Sequence, residues 1–145
     1  MKKMAQTFWD TSALVALCCP HPSSAMARIA ARQTSRIAVW WGTPVEMSSA
    51  FSQLVRTGNL NDRELSYALK RKSLLGRQWD EIEPSQRLRD LAEGLPERYG
   101  LRALDALQLA AALVWCKEKP RHRPLACFDQ QLAQSAAKAG FTVIS

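Results

Sequence analysis

Thr7-Phe8-Trp9-Asp10-Thr11-Ser12-Ala13-Leu14 reads as a buried strand that ends in an acid and turns at once into a helix. Asp10 is the only formally charged side chain between Lys3 and Arg28. A lone carboxylate at the end of an apolar strand is costly to desolvate unless it meets a partner. In open α/β sheets, ligands collect outside the carboxyl ends of the strands. Asp10 therefore marks a candidate site, and other strand ends are expected to reach the same rim.

Three further acids share this isolation. Glu46 is the only charge between Arg36 and Arg56, Asp105 the only one between Arg102 and Lys117, and Asp129 the only one between Arg123 and Lys138. The remaining acids lie in the charge-rich middle of the chain or beside basic runs, where solvent can take them. Folding is expected to bring these four acids into one buried cluster. Each has a plain alternative: Asp10 and Asp129 can cap the helices after them, Glu46 can satisfy a helix dipole, and Asp105 can pair with Arg102. That all four serve only such roles fits poorly with every one being the lone charge of its segment.

The rest of the chain alternates strands and helices. Ala5 to Trp9 is the first strand. A short helix follows over Ala13 to Leu17, capped by Thr11 or Ser12 and stopped by Pro20 and Pro22. Ser23 or Ser24 caps the next helix, to about Arg32. Ile37 to Trp41 is a strand without polar alternation, as expected for one covered on both faces. Gly42 turns the chain, Thr43 caps, and Pro44 opens a helix that ends at Gly58. Asn61 or Asp62 starts a basic helix carrying Lys70-Arg71-Lys72 and Arg77. Trp79 to Glu83 reads as an edge strand or a loop. A helix runs from Pro84 to about Tyr99, with breaks expected at Gly94 and Pro96. Arg102 to Trp115 is a buried helix with Asp105 on the stripe of Leu101, Leu109 and Ala112. Leu125 to Phe128 is a strand that delivers Asp129, and Gln130 to Ala139 is a helix closed by Gly140. Phe141 to Ile144 is the last strand. This order argues for an α/β fold with a mostly parallel central sheet and helices on both faces.

The 145 residues are expected to form a single domain, 1–145, with a substantial core, and no apolar run approaches the length of a membrane span. Met1-Lys2-Lys3-Met4 has no apolar segment of signal-peptide type behind it, so a cytoplasmic location is expected. Cys18, Cys19, Cys116 and Cys127 show no paired metal-binding spacing and read as reduced, mostly buried thiols. His21 and His122 read as surface histidines. The net charge of +7 suits a polyanionic partner held around an acidic pocket.

Carboxylates gathered together repel, and burial raises the cost. A hard divalent cation such as Mg²⁺ or Mn²⁺ resolves this, because it prefers oxygen ligands, few from protein and the rest from water and phosphate. Such ions activate water and steady a leaving oxygen in phosphodiester hydrolysis.

The chain resembles the PIN-domain ribonucleases, and most closely the VapC toxins of type II toxin–antitoxin pairs. The family's opening Asp-Thr-Ser is matched by Asp10-Thr11-Ser12, and its glutamate early in a helix by Glu46 in Thr43-Pro44-Val45-Glu46. Its Arg-x-x-Asp-Ala-Leu-x-Leu-Ala helix is matched from Arg102 to Ala110. Its late Phe-Asp, followed by Ala-x-x-x-Gly-Phe, is matched by Phe128-Asp129 and by a near match over Ala137-Lys138-Ala139-Gly140-Phe141. The resemblance implies a three-layer α/β/α PIN-like domain and a Mg²⁺- or Mn²⁺-dependent endoribonuclease. Asp10, Glu46, Asp105 and Asp129 would bind the metal, and Ser12 would help hold Asp10 or a water. It further implies an RNA substrate, pairing as a homodimer, a cognate antitoxin, and operator DNA bound only through that antitoxin. Two positions depart from the pattern: Gln108 stands where many relatives carry histidine, and Cys127 where many carry threonine. The cysteine is expected to alter hydrogen bonding around Asp129.

Two rival readings remain at this level. A metal-dependent phosphatase also has an acidic pocket after parallel strands, but the haloacid-dehalogenase type needs a second acid where Ser12 stands. A catalytically silent RNA-binding or regulatory subunit would have no need of all four acids.

Overall fold

The computed structural model describes residues 6–145, so the expected strand start at Ala5 lies outside the described residues. The elements run β1 (Thr7–Trp9), α1 (Thr11–Cys18), α2 (Ser24–Gln33), β2 (Ile37–Trp40), α3 (Thr43–Arg56), α4 (Asp62–Gly76), β3 (Asp80–Ile82), α5 (Gln86–Tyr99), α6 (Ala103–Trp115), β4 (Pro124–Ala126), α7 (Gln130–Ala139) and β5 (Thr142–Ile144). All five strands pair in parallel, in the order β3-β2-β1-β4-β5. The chain therefore winds outward from β1 through β2 to β3, then returns to the other side of β1 with β4 and β5. The topological switch lies between β1 and β4, where Phe8 pairs with Leu125 and Trp9 with Ala126. Crevices of this kind are where ligands bind in open parallel sheets.

Successive strand residues point to opposite faces, and two cores result. Phe8, Ala38, Trp40, Leu125 and Cys127 pack on one face with Leu88, Leu95, Leu109 and Leu132 of α5, α6 and α7. Trp9, Val39 and Ala126 pack on the other with Leu14, Ala27, Met47, Phe51 and Ala68 of α1 to α4. The sheet is thus the middle of three layers, and its short strands need no polar alternation because both faces are covered. Among the described residues no helix is long and apolar enough to cross a membrane, and all four cysteines are buried free thiols.

Several boundaries differ from the sequence reading, each for a local reason. Asp10, not Thr11 or Ser12, caps α1, and its carboxylate accepts from Ser12 N–H. Gly42 takes the position before α3, and Thr43 lies inside the helix without capping it. Its hydroxyl is engaged elsewhere, by Gln108. Trp79 to Glu83 contains a true edge strand, β3. The expected breaks in α5 are absent: the helix runs through Gly94 and Pro96 to a left-handed Gly100. Pro96 removes one backbone bond, yet Leu88, Ala92 and Leu95 are buried against α6 and hold the helix continuous. Asn61 and Glu64 form a reciprocal capping box that fixes the start of α4.

Candidate active site

The carboxyl ends of β1 and β4 and the first turns of α3 and α6 converge on one open cleft of about 600 Å³. Asp10, Thr11, Ser12, Glu46, Asp105 and Asp129 line it together. The sequence reading thus named four acids that the fold does gather. Their environments are not alike. Asp10 is buried, at 5% exposed, Glu46 and Asp105 are half-buried, and Asp129 is exposed. The expectation of a uniformly buried cluster is corrected for Asp129, which sits on the outer lip as the cap of α7 and accepts from Leu132 N–H at 3.0 Å.

Asp10 is held hard. Its Oδ2 accepts from Ser12 N–H at 3.1 Å and from Ser12 Oγ–H at 2.6 Å, and Cys127 Sγ lies 3.6 Å away. All three donors address the same oxygen. The Ser12 hydroxyl also accepts from the backbone N–H groups of Phe128 at 2.9 Å and Asp129 at 3.2 Å. One hydroxyl therefore ties the end of β1 to the β4–α7 junction and sets the spacing of Asp10 and Asp129. Cys127 contacts the Asp10 carboxylate and the Asp129 carbonyl, so it does enter the hydrogen bonding around Asp129, through the backbone.

Glu46 is held by a second network. Thr11 Oγ1 donates to Glu46 Oε1 at 3.3 Å. Gln108 Nε2 reaches Thr11 Oγ1 at 2.9 Å, Thr43 Oγ1 at 3.1 Å and Glu46 Oε2 at 3.3 Å. A single buried amide thus joins α1, α3 and α6 behind the cleft. Its own Oε1 is buried without a hydrogen-bond partner, so the side chain is retained at a cost. Sequence reasoning noted Gln108 only as a departure, and it missed Thr11, Thr43 and His21, which also lines the cleft.

Charge and burial act together on the acids. Burial raises the pKa of Asp10 against the pull of Ser12. Burial, then the neighbouring Asp10, push Glu46 up to about 7. Burial, then Asp129 and Asp10, raise Asp105, while Arg102 pulls the other way. Arg102 forms no ion pair with Asp105 among the described residues. Asp10 acts on both Glu46 and Asp105, and Asp129 acts on Asp105.

These carboxylates are ionised in the unfolded chain above about pH 4.5 and resist ionisation in the folded one. A folded pKa raised above the unfolded value gives stability that is full below the unfolded pKa and lost as pH rises through the folded one. The cation-free chain is therefore expected to lose about 2 kcal/mol of stability between pH 5 and pH 8, after discounting Glu46 for its partial exposure. The half-buried Asp80 and the exposed Glu118, held low by Arg36 and Arg87, titrate below this window. Denaturant melts in chelator at the two pH values check this. A chain more stable at pH 8 would contradict the coupling.

The donor set suits a hard cation. It is all oxygen, it carries excess negative charge, and the hydrogen bonds to Asp10 leave Oδ1 outside their reach. Among the described residues no three acids, thiols or imidazoles close onto one point tightly enough to chelate an ion alone. Mg²⁺ keeps several waters and takes only one or two carboxylates, so an open acidic cleft fits it better than a closed cage.

No family model matches the chain, and no curated protein matches it. Solved structures do share its fold. One is a toxin–antitoxin complex from Klebsiella pneumoniae, 18% identical, with 86% of this chain and 87% of that one covered and a TM-score of 0.59. Another is VapBC2 from Rickettsia felis bound to a DNA fragment from its promoter, 13% identical, covering 97% and 99% of the two chains with a TM-score of 0.63. The three-layer architecture expected from the resemblance to VapC-like PIN domains is therefore the observed fold.

Proposed function

We propose that this chain is a metal-dependent endoribonuclease acting as the toxin of a toxin–antitoxin pair. The observation that carries the reading is the convergence of Asp10, Glu46, Asp105 and Asp129 on one cleft at the switch point of the sheet. A fold shared with toxin–antitoxin structures supports the biological setting. Asp10, Glu46 and Asp105 would hold Mg²⁺ or Mn²⁺, with Asp129 completing the rim. When bound, such an ion supplies Lewis acidity toward the scissile phosphate and the attacking water.

The chain's own groups do the positioning. Ser12 locks Asp10 through Oδ2. Thr11 and Gln108 orient both oxygens of Glu46. In the cation-free chain burial and Asp10 push Glu46 up to about 7, so a cation held there would displace a proton near neutral pH. Asp129, exposed at the lip as the cap of α7, would meet the strand as it enters. A silent subunit has no use for a buried carboxylate kept at such cost. The phosphatase reading loses ground because the Ser12 hydroxyl is committed to Asp10 and two backbone amides. The cognate antitoxin, pairing as a homodimer, and operator DNA reached only through the antitoxin belong to the same reading.

The test is incubation of the purified chain with pooled cellular RNA in Mg²⁺ or Mn²⁺ and in chelator. Cuts at discrete positions that vanish with chelator are the expected outcome. Cutting indifferent to chelator would overturn the reading.

A further inference from the structure

A second cleft of about 680 Å³ lies between α1, α2 and α4. Its floor is apolar, from Leu17, Cys18, Cys19 and Pro20, and its walls carry Arg28, Arg63, Arg71 and Tyr67. Arg63, Tyr67 and Arg71 follow one another at i, i+4 and i+8 on α4, so they form one stripe of cation, aromatic, cation. Arg28 of α2 faces the same space.

Three features point to an anionic occupant. Among the described residues, none of the three arginine side chains has a carboxylate partner or a hydrogen bond. The Nε of Arg71 is buried and without a hydrogen-bond partner, which leaves the guanidinium under-satisfied and only its outer nitrogens for an occupant of the cleft. Glu64, the one acid in the lining, is spent on the capping box with Asn61. A further feature says which anion. His21 lines this cleft and also the acidic one, so the two are continuous around it.

We infer that the groove between α2 and α4 holds the single-stranded RNA that extends from the scissile bond, with Arg28, Arg63 and Arg71 on its phosphates and a base stacked on Tyr67. The inference rests on the nuclease reading and names how that site grips its substrate. It also resolves an electrostatic difficulty. An acidic cleft repels a polyanion everywhere except at a bound cation, so the affinity must come from a neighbouring basic track. Interleaved arginines and an aromatic ring are the usual means of holding single strands without reading sequence. Arginine is favoured over lysine for such contacts because its planar fork matches phosphate.

The test is fluorescence anisotropy of an unstructured, labelled 12-nucleotide single-stranded RNA with the full chain in EDTA, where no cutting intervenes. Arg63→Ala and Arg71→Ala are each expected to weaken binding several-fold. Each should also reduce the slope of log affinity against log salt by about 0.7. Tyr67→Ala should weaken binding by about tenfold, with Tyr67→Phe restoring it. Lys138→Ala, on α7 outside the groove, should bind as wild type, and thermal melts establish that each variant is folded. A salt slope unchanged in every groove variant would overturn the inference. So would loss, in those variants, of binding to an acidic Glu- and Leu-rich 12-residue peptide while RNA binding persists, since the groove would then belong to a protein. The two readings fail separately. Intact metal-dependent cleavage with unaltered RNA binding removes the groove alone. Groove-dependent RNA binding without cleavage removes the nuclease alone.

Discussion

Asp10→Asn should reduce metal-dependent RNA cleavage by about a hundredfold or more, while the variant melts in chelator at the same temperature as wild type or a few degrees higher. Loss of groups that merely orient metal ligands costs about 10–100-fold, and a ligand itself lies at or beyond that range. The stability side follows from the geometry. Asparagine caps helices as well as aspartate does, so its amide oxygen can keep the bonds from Ser12 N–H and Oγ–H. What disappears is a buried negative charge close enough to raise both Glu46 and Asp105. The relief is expected to raise the melting temperature by about 2–4 °C. A variant that cuts like wild type would remove Asp10 from the chemistry. One that melts far below wild type would show that the charge contributes to the fold.

Ser12→Ala should be the most damaging single change among the uncharged cleft residues. The hydroxyl donates to Asp10 and accepts from two backbone N–H groups across the β1–β4 seam. Alanine leaves Phe128 N–H, partly buried, without its acceptor, and the cost is expected to be about 1–2 kcal/mol. Cleavage should fall by about tenfold, because Asp10 and Asp129 lose their common anchor. Ser12→Thr retains the hydroxyl and should recover most of both losses. Urea melts and single-turnover cleavage of the three proteins separate the effects. If alanine and threonine behave alike, the hydroxyl is not what sets the spacing of the two acids.

Much of this arrangement could be read from the chain. The isolation of Asp10, Glu46, Asp105 and Asp129 in sequence is itself the trace of a pocket, because a protein seldom spends a single charge in an apolar stretch without a use for it. Strand ends followed at once by helices placed Asp10 and Asp129 on a common rim, and the parallel pairing of β1 with β4 bears this out. Other features were invisible because they depend on distance across the fold. Gln108 meets Thr43 and Thr11 from 65 and 97 positions away, and no local pattern announces such a meeting. The exposure of Asp129 depends on how far its loop stands out from the sheet. Pro96 looks like a helix breaker, and only the packing of α5 on α6 shows why it is not. The basic character of α4 was legible, but its division was not. Lys72 turns inward to the Pro44 carbonyl and the Ser48 hydroxyl of α3, whereas Arg71 lines the groove toward α2.

The sheet order carries a consequence for biosynthesis. β1 leaves the ribosome well before its neighbour on the switch side, β4, whose residues Pro124–Ala126 come more than a hundred positions later. Until that pairing forms, Asp10 lacks the bond from its N–H to the Ala126 carbonyl, and the Ser12 hydroxyl has no Phe128 or Asp129 amide to accept. Contacts so distant in sequence form late, because the loop-closure entropy must be met first. A nascent chain therefore carries most of its acids but no assembled cleft. The acids of the cleft are thus translated before the strand that gathers them, and the site is a late product of folding.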